Sequence, residues 1–224
     1  MKRGRTAFII VAGILALLIF AAAIGLEPFL YWQNETLEVT HYTVQSEKIP
    51  RSFDGYKIVL LTDIHGKVFE GDNAPLYDAI EAQEADMLCL VGDLIDEGVA
   101  GSKEVVTNLL RSCELPEQVY AVSGNHDVWT DGFDAFAQEL EEAYPITFLE
   151  NESVQIEKDG ETLTLSGISD PNTWDDAEAM EYVAAADTSI KKGAGYQILL
   201  FHRANMLDYF NDKAYDLILS GHMH

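Results

Sequence analysis

Five short polar clusters hold the residue types that could do chemistry in this 224-residue sequence: "LLTDIHG", "LVGDLID", "VSGNHD", "LLFH" and "ILSGHMH". Each closes an apolar run, and together they contain five of the six histidines. Alternate residues on extended backbone face the same way, so Asp63 and His65 can grip one ion, and His222 and His224 can do the same. Asp93 follows a glycine that allows close backbone approach, which exposes its carboxylate at a strand tip. Asn125 offers a neutral amide oxygen, His126 and Asp127 follow it, and His202 ends another run. Imidazoles, carboxylates and one amide, without thiolate, suit a first-row divalent ion better than calcium; manganese, iron and zinc stay open. More than four donors argue for two ions, with a carboxylate between them holding the pair ~3.5–4 Å apart, the separation used for phosphoryl chemistry. His41 lies outside every cluster and reads as structural or surface.

These clusters need elements that bring them to one place. "YKIVLLTD", "DMLCLVGD" and "EQVYAVSG" read as buried strands separated by helices over "APLYDAIEAQEA" and "SKEVVTNLLRSC". "DGFDAFAQELEEAY" reads as an amphipathic helix capped by Asp131. Strands alternating with helices imply crossovers and a largely parallel sheet, whose ligands gather at the carboxyl ends of the strands. "ESVQIEKDGETLTLSGIS" is two alternating runs around Asp159-Gly160, a hairpin signal. A helix over "DDAEAMEYVAAA", the strand "YQILLFH", a short helix near "ANMLDYF" and the strand "DLILSGHMH" follow, and "LEVTHYTVQS" alternates like a strand ahead of them all. Asp96 reads as a helix cap and Asp170 as a turn starter before Pro171. Trp129 and Trp174 either shape a substrate cleft or simply pack.

At the amino terminus, Ala7 to Leu26 carry no charged or hydrogen-bonding side chain, and as a helix rising ~1.5 Å per residue they match a ~30 Å hydrocarbon layer. Lys2, Arg3 and Arg5 precede this span and Glu27, Glu35 and Glu38 follow it, which leaves the amino terminus in the cytoplasm and the rest of the chain outside. Tyr31 and Trp32 fall where interfacial aromatics would anchor it. "AAA" at Ala21 to Ala23 offers signal cleavage, and so a secreted soluble protein, as the minority reading. Residues 1–36 are thus expected to form a tip, anchor and stalk, and residues 37–224 one domain. All 38 acidic residues and 11 of the 14 basic ones lie beyond the span, which makes the exposed part an unsuitable partner for nucleic acid, whose phosphates call for a basic face. Two cysteines, Cys89 and Cys113, are too few for a disulfide scaffold, and their pairing stays open.

The ordered set "TDIHG", "GDLID", "GNHD", "FH", "GHMH" resembles the calcineurin-like metallophosphoesterase family, and the amino-terminal anchor makes the chain similar to its bacterial membrane-anchored branch. The resemblance covers roughly Lys57 to His224 and is carried by the five motifs in order. It implies an α/β (α+β) fold, a four-layer α/β/β/α sandwich of two mixed sheets with a binuclear site at the sheet ends. By motif, Asp63, His65, Asp93 and His224 would hold one ion, with Asp93 shared, and Asn125, His202 and His222 would complete the other. His126 would be the non-ligand catalytic histidine, steadied by Asp127. The family's last histidine pair usually runs on into glycines and further strands, so either the last strands are missing beyond His224 or the second sheet closes differently. Where relatives often have proline, "FHRAN" places Arg203 either on a substrate phosphate or at the surface.

The chemistry expected is hydrolysis of a phosphodiester or phosphomonoester, lipid-linked or nucleotide-derived, by hydroxide formed between two metal ions, with His126 protonating the leaving alkoxide. The alternative is a non-catalytic, metal-dependent binding or sensing module at the membrane. An intact His126–Asp127 pair argues against it, since binding needs no proton donor.

Overall fold

A computed structural model describes residues 2–69 and 71–223; of residues 2–10, 31, 32, 34 and 35 it describes the backbone alone. His224 and the side chains of Tyr31 and Trp32 therefore lie outside the described residues. The chain divides into two compact units, Met1–His41 and Tyr42–His224.

The first unit is one long helix, α1 (Lys2–Glu35). It contains a 20-residue stretch, Val11–Leu30, with mean hydropathy 2.2, long and apolar enough to cross a membrane. Pro28 sits inside this helix without ending it. The stretch "LEVTHYTVQS", expected as a strand, pairs with no other strand among the described residues, and His41, Val39, Tyr42 and Val44 are exposed. Alternation alone does not make a strand; a ladder partner must take up the backbone hydrogen bonds.

In the second unit, β1 (Ile58–Leu61), β2 (Met87–Val91), β3 (Gln118–Val122) and β4 (Ile146–Phe148) form a sheet in that order, parallel throughout. The connections run through α2 (Ala74–Glu81), α3 (Ser102–Ser112), the short α4 (Asn125–Trp129) and α5 (Phe133–Ala143). In α3 the buried Val105, Val106, Leu109 and Leu110 form one stripe at helical spacing, and in α5 Phe133, Phe136, Ala137 and Leu140 do so. The cap of α5 is Gly132 in left-handed backbone; Asp131, expected there, supplies only its backbone carbonyl, to the Lys103 ammonium.

A second, mixed sheet has the order β5 (Glu152–Lys158), β6 (Glu161–Ile168), β7 (Gln197–Arg203), β8 (Leu217–Gly221). β5 and β6 are antiparallel and joined through Asp159 and Gly160, both at positive φ as a two-residue hairpin requires. β7 and β8 run parallel to β6. Before β7 comes α6 (Asp176–Ser189), whose cap Asp175 accepts the amides of Ala177 and Glu178.

The two sheets face each other across one core. Met87, Cys89, Val91 and Val122 of the first pack with Ile156, Leu163, Leu165, Ile198 and Leu200 of the second. The intervening residues Leu199 and Phe201 turn outward to Ala179, Val183 and Ala186 of α6. Burying each large side chain contributes about 1.5–3 kcal/mol. This alternation also decides function: His202, next after Phe201, points inward between the sheets. Both cysteines are free and buried, and burial pushes the Cys89 thiol up to about 12.

Candidate metal centre

The five polar clusters lie at the carboxyl ends of β1, β2, β3, β7 and β8, where the backbone changes hand. Asp63 (φ 54), His65 (φ 47), Asp93 (φ 51) and His222 (φ 75) all adopt the left-handed region. For a residue with a Cβ this costs on the order of 1–3 kcal/mol, and four instances at one point indicate a site held against local preference. The loops after β1 and β2 are laced together by Asp63 N donating to Gly92 O at 3.1 Å and His65 N to Asp93 O at 3.0 Å. Gly124 makes the approach of β3 possible, because a Cβ there would collide with the Asp93 amide and carboxylate. Gly221 does the same for β8, where a Cβ would collide with Thr62.

Asp93 is the hub. It is 1% exposed; Oδ1 accepts the His126 amide at 2.8 Å, and Oδ2 lies 3.1 Å from His202 Nε2 and 3.5 Å from His65 Nε2. His202 is fully buried, with Nδ1 2.8 Å from the Val91 carbonyl. A carbonyl only accepts, so Nδ1 carries the proton and Nε2 turns toward the Asp93 carboxylate. Two lone-pair-bearing atoms at 3.1 Å repel each other unless a cation, proton or metal, lies with them. Burial favours neutral forms in both, yet the partners win: Asp93 is held below the usual carboxylate range by His202 and the His126 amide, and His202 is raised by Asp93 and Val91.

Asp63 accepts the His222 amide on both oxygens at 3.0 Å, with Thr62 Oγ1 2.9 Å from Oδ2. His222 is lowered by burial and by its neighbours His202 and Arg203. Asn125 is 2% exposed, and its Oδ1 has no hydrogen-bond partner among the described residues. One ligand atom each of His65, Asp93 and His126 lie within 4.8 Å of one another, and so do those of Asp93, His202 and His222. Two trios of imidazole and carboxylate donors that share Asp93 fit divalent metal ions. Asp63 and Asn125 adjoin the trios, and His126, expected as a non-ligand, falls in the first one.

Three expectations give way. Asp127 does not touch His126: in the first turn of α4 its Oδ2 accepts the Gly124 amide, and its Oδ1 accepts those of Leu94 and Ile95, all at 2.9 Å. Burial pushes this carboxyl up to about 7 despite those amides. The carboxylate at His126 is Asp96, whose Oδ2 is 2.9 Å from His126 Nδ1 and 3.3 Å from His65 Nδ1. Asp96 is no helix cap, since α3 begins at Ser102 behind Gly101; its other oxygen takes the Gly98 amide. Its spacing of three from Asp93 was the available signal. Arg203 is neither at the surface nor free for phosphate: it is 7% exposed and grips Asp170 through Nε at 2.6 Å and Nη2 at 2.7 Å, while Nη1 donates to Thr173 O at 2.9 Å.

The family model for calcineurin-like phosphoesterases matches residues 56–224. The chain belongs to that family. Among the family's curated relatives is YkoQ of Bacillus subtilis (strain 168), an uncharacterized metallophosphoesterase 30% identical over 221 residues, 94% of this chain and 75% of that protein. A transmembrane protein with metallophosphoesterase domain from Danio rerio is 26% identical over 200 residues, 84% of this chain and 44% of that one. The phosphopantetheinyl hydrolase PptH of Mycobacterium tuberculosis gives a TM-score of 0.46 at 15% identity, covering 71% of this chain and 72% of that structure. Calcineurin-like phosphoesterases are metal-dependent hydrolases, and the carboxylate and imidazole donors gathered at these strand ends are of the kind such chemistry uses.

Proposed function

We propose that the protein is a membrane-anchored hydrolase of phosphate esters, mono- or diesters, working with two divalent transition-metal ions drawn from manganese, iron or zinc. Asp63, His65, Asp93 and His224 would hold one ion, and Asn125, His202 and His222 would complete the other around the shared Asp93. Such a pair, when bound, activates water and neutralises charge on the phosphoryl oxygens. The observation that carries the reading is His202, whose Nδ1 proton is committed to Val91 while Nε2 meets the Asp93 carboxylate at 3.1 Å.

The chain's own residues supply the rest. Asp96 accepts the Nδ1 proton of His126, which fixes the ring and leaves Nε2 to donate to the leaving alkoxide oxygen. Gly124 and Gly221 keep the strand ends close enough for the donors to act together. Asp127 holds three backbone amides and thereby sets the start of α4, on which His126 rides. Inserted in a bilayer, α1 would restrict the enzyme to a membrane, and the basic residues Lys2, Arg3 and Arg5 before the span favour a domain outside the cytoplasm by the positive-inside rule. A lipid-linked phosphate would suit that location.

The test is hydrolysis of a generic phosphodiester by the full chain purified in detergent with manganese added. His126→Ala and Asp93→Asn serve as controls, and metal is counted per chain. Turnover that survives His126→Ala unchanged, or two ions retained by Asp93→Asn, would refute the assignment.

A further inference from the structure

A stack of two indoles begins at His126. The Trp129 ring, at the end of α4, is 5.2 Å from the imidazole, and Trp174 lies over Trp129 at 4.2 Å between centroids and 30° between planes. Trp174 remains 77% exposed, so one broad indole face is open to solvent. Exposed apolar residues are common and need no explanation by themselves. The apparatus holding this one sets it apart. The Arg203–Asp170 pair is buried, and the guanidinium's third nitrogen, Nη1, donates to the carbonyl of Thr173, the residue before Trp174. Asp170 Oδ1 also takes the Asn172 amide at 2.8 Å, and Thr173 Oγ1 donates to Glu178 at 3.0 Å. A buried ion pair is a costly way to gain stability but an effective way to fix a geometry. Here it fixes the loop that presents an indole to water.

The inference rests on the phosphoesterase reading. If His126 protonates the leaving oxygen, the organic body of the leaving group lies on the His126 side, against Trp129 and Trp174. The neighbouring rim is acidic: Asp96, Glu97, Glu104 and Asp131 line a groove of about 250 Å³ with Lys103. Additional negative charge on the leaving group is therefore disfavoured. The geometry points to Trp174 as a specificity determinant that extends the indole stack by one neutral flat ring, the base of a nucleoside phosphate ester. Stacking of this kind tolerates any base, so the class is set and the base is not. Glycerol has no ring face to offer; a choline cation would be drawn by the acidic rim and by about 0.5–2 kcal/mol of charge-over-ring attraction, but it has no flat face with which to extend the indole stack, so the choline esters are the competitor that the experiment must separate.

The experiment uses the full chain in detergent with manganese, and adenosine 5′-monophosphate, glycerol 3-phosphate and phosphocholine as substrates, each also as its methyl diester. Wild type is expected to prefer the adenosine esters, and Trp174→Ala to lower the adenosine-to-glycerol ratio of kcat/KM by about tenfold, with Trp174→Phe retaining most of it. Adenosine 5′-monophosphate should quench tryptophan fluorescence in wild type and much less in Trp174→Ala, a reading of binding that needs no turnover. An unchanged ratio, whether both activities fall or neither does, overturns the inference, as does a loss confined to the choline esters. Hydrolysis of glycerol esters without ring preference or quenching sinks only this subsite; hydrolysis of none of the esters sinks the phosphoesterase reading instead.

Discussion

Asp96 and His126 form a close carboxylate–imidazole contact: Oδ2 and Nδ1 stand 2.9 Å apart. If His126 is the acid, His126→Ala should lower kcat on alkyl phosphate esters by roughly 10²–10⁴-fold and on nitrophenyl esters, whose leaving group needs no proton, far less. Asp96→Asn keeps an acceptor but loses its charge, so the same leaving-group pattern is expected at smaller amplitude, about tenfold. Steady-state kinetics on the two ester types checks this. Equal losses on both would remove Asp96 and His126 from proton transfer.

As a metal ligand, His202 would link metal binding to protons. Its pKa is raised because Asp93 and the Val91 carbonyl outweigh burial. The folded metal-free protein therefore binds this proton more tightly than the unfolded chain, whose histidines titrate near ~6.5. The stability from the pair is complete below that pH and is lost as pH climbs through the raised value. A metal at Nε2 takes the proton's place, so loading should release protons and apparent affinity should rise with pH. Calorimetric titration with manganese in two buffers of different ionisation enthalpy measures the release. Its absence would mean that Nε2 is not a ligand.

The sequence made the site's donors legible and left their supports hidden, for a physical reason. Strand-end placement follows from apolar runs closing on polar clusters, so Asp63, Asp93, His202 and His222 could be placed at one end of two sheets without coordinates. The hairpin at Asp159-Gly160 was equally plain, because only a few residue types accept positive φ at both central positions. Which carboxylate faces His126 depends on how the loop after β2 turns beside α4, and no periodicity encodes that. Adjacency suggested Asp127, but a helix's first turn draws a nearby carboxylate onto its free amides, leaving Asp96 for the histidine. The unpaired "LEVTHYTVQS" shows the same limit, since alternation describes a strand's faces and not its partner.

Asp127 should matter to folding more than to proton transfer. Asp127→Ala leaves the buried amides of Leu94, Ile95 and Gly124 without their acceptor. At about 1–3 kcal/mol for each unsatisfied group, destabilisation of ~3 kcal/mol or more is expected. Burial holds this carboxyl up to about 7, so between ~4 and 7 the native state binds the proton that the unfolded chain has released. The advantage of wild type over Asp127→Ala should consequently shrink as pH rises across that window. Denaturant melts of the metal-free protein at several pH values check both points. A variant as stable as wild type that shows the leaving-group signature of His126→Ala would return Asp127 to the direct role.

Arg203 and Asp170 separate scaffold from chemistry. Arg203→Met strands the Asp170 carboxylate in a buried place, a loss expected to cost about 3–5 kcal/mol, whereas Arg203→Met with Asp170→Leu removes both charges and should recover most of that stability. If the pair acts only by holding the 170–175 loop, the double variant should keep kcat on a ring-free ester such as glycerol 3-phosphate within a few-fold of wild type, because neither residue then contacts the phosphoryl group. If Arg203 reaches the phosphate during turnover, the double variant will fold well and still lose kcat/KM on every ester by a similar factor. Thermal melts and kinetics on the same two proteins decide between a fixed loop and a mobile guanidinium.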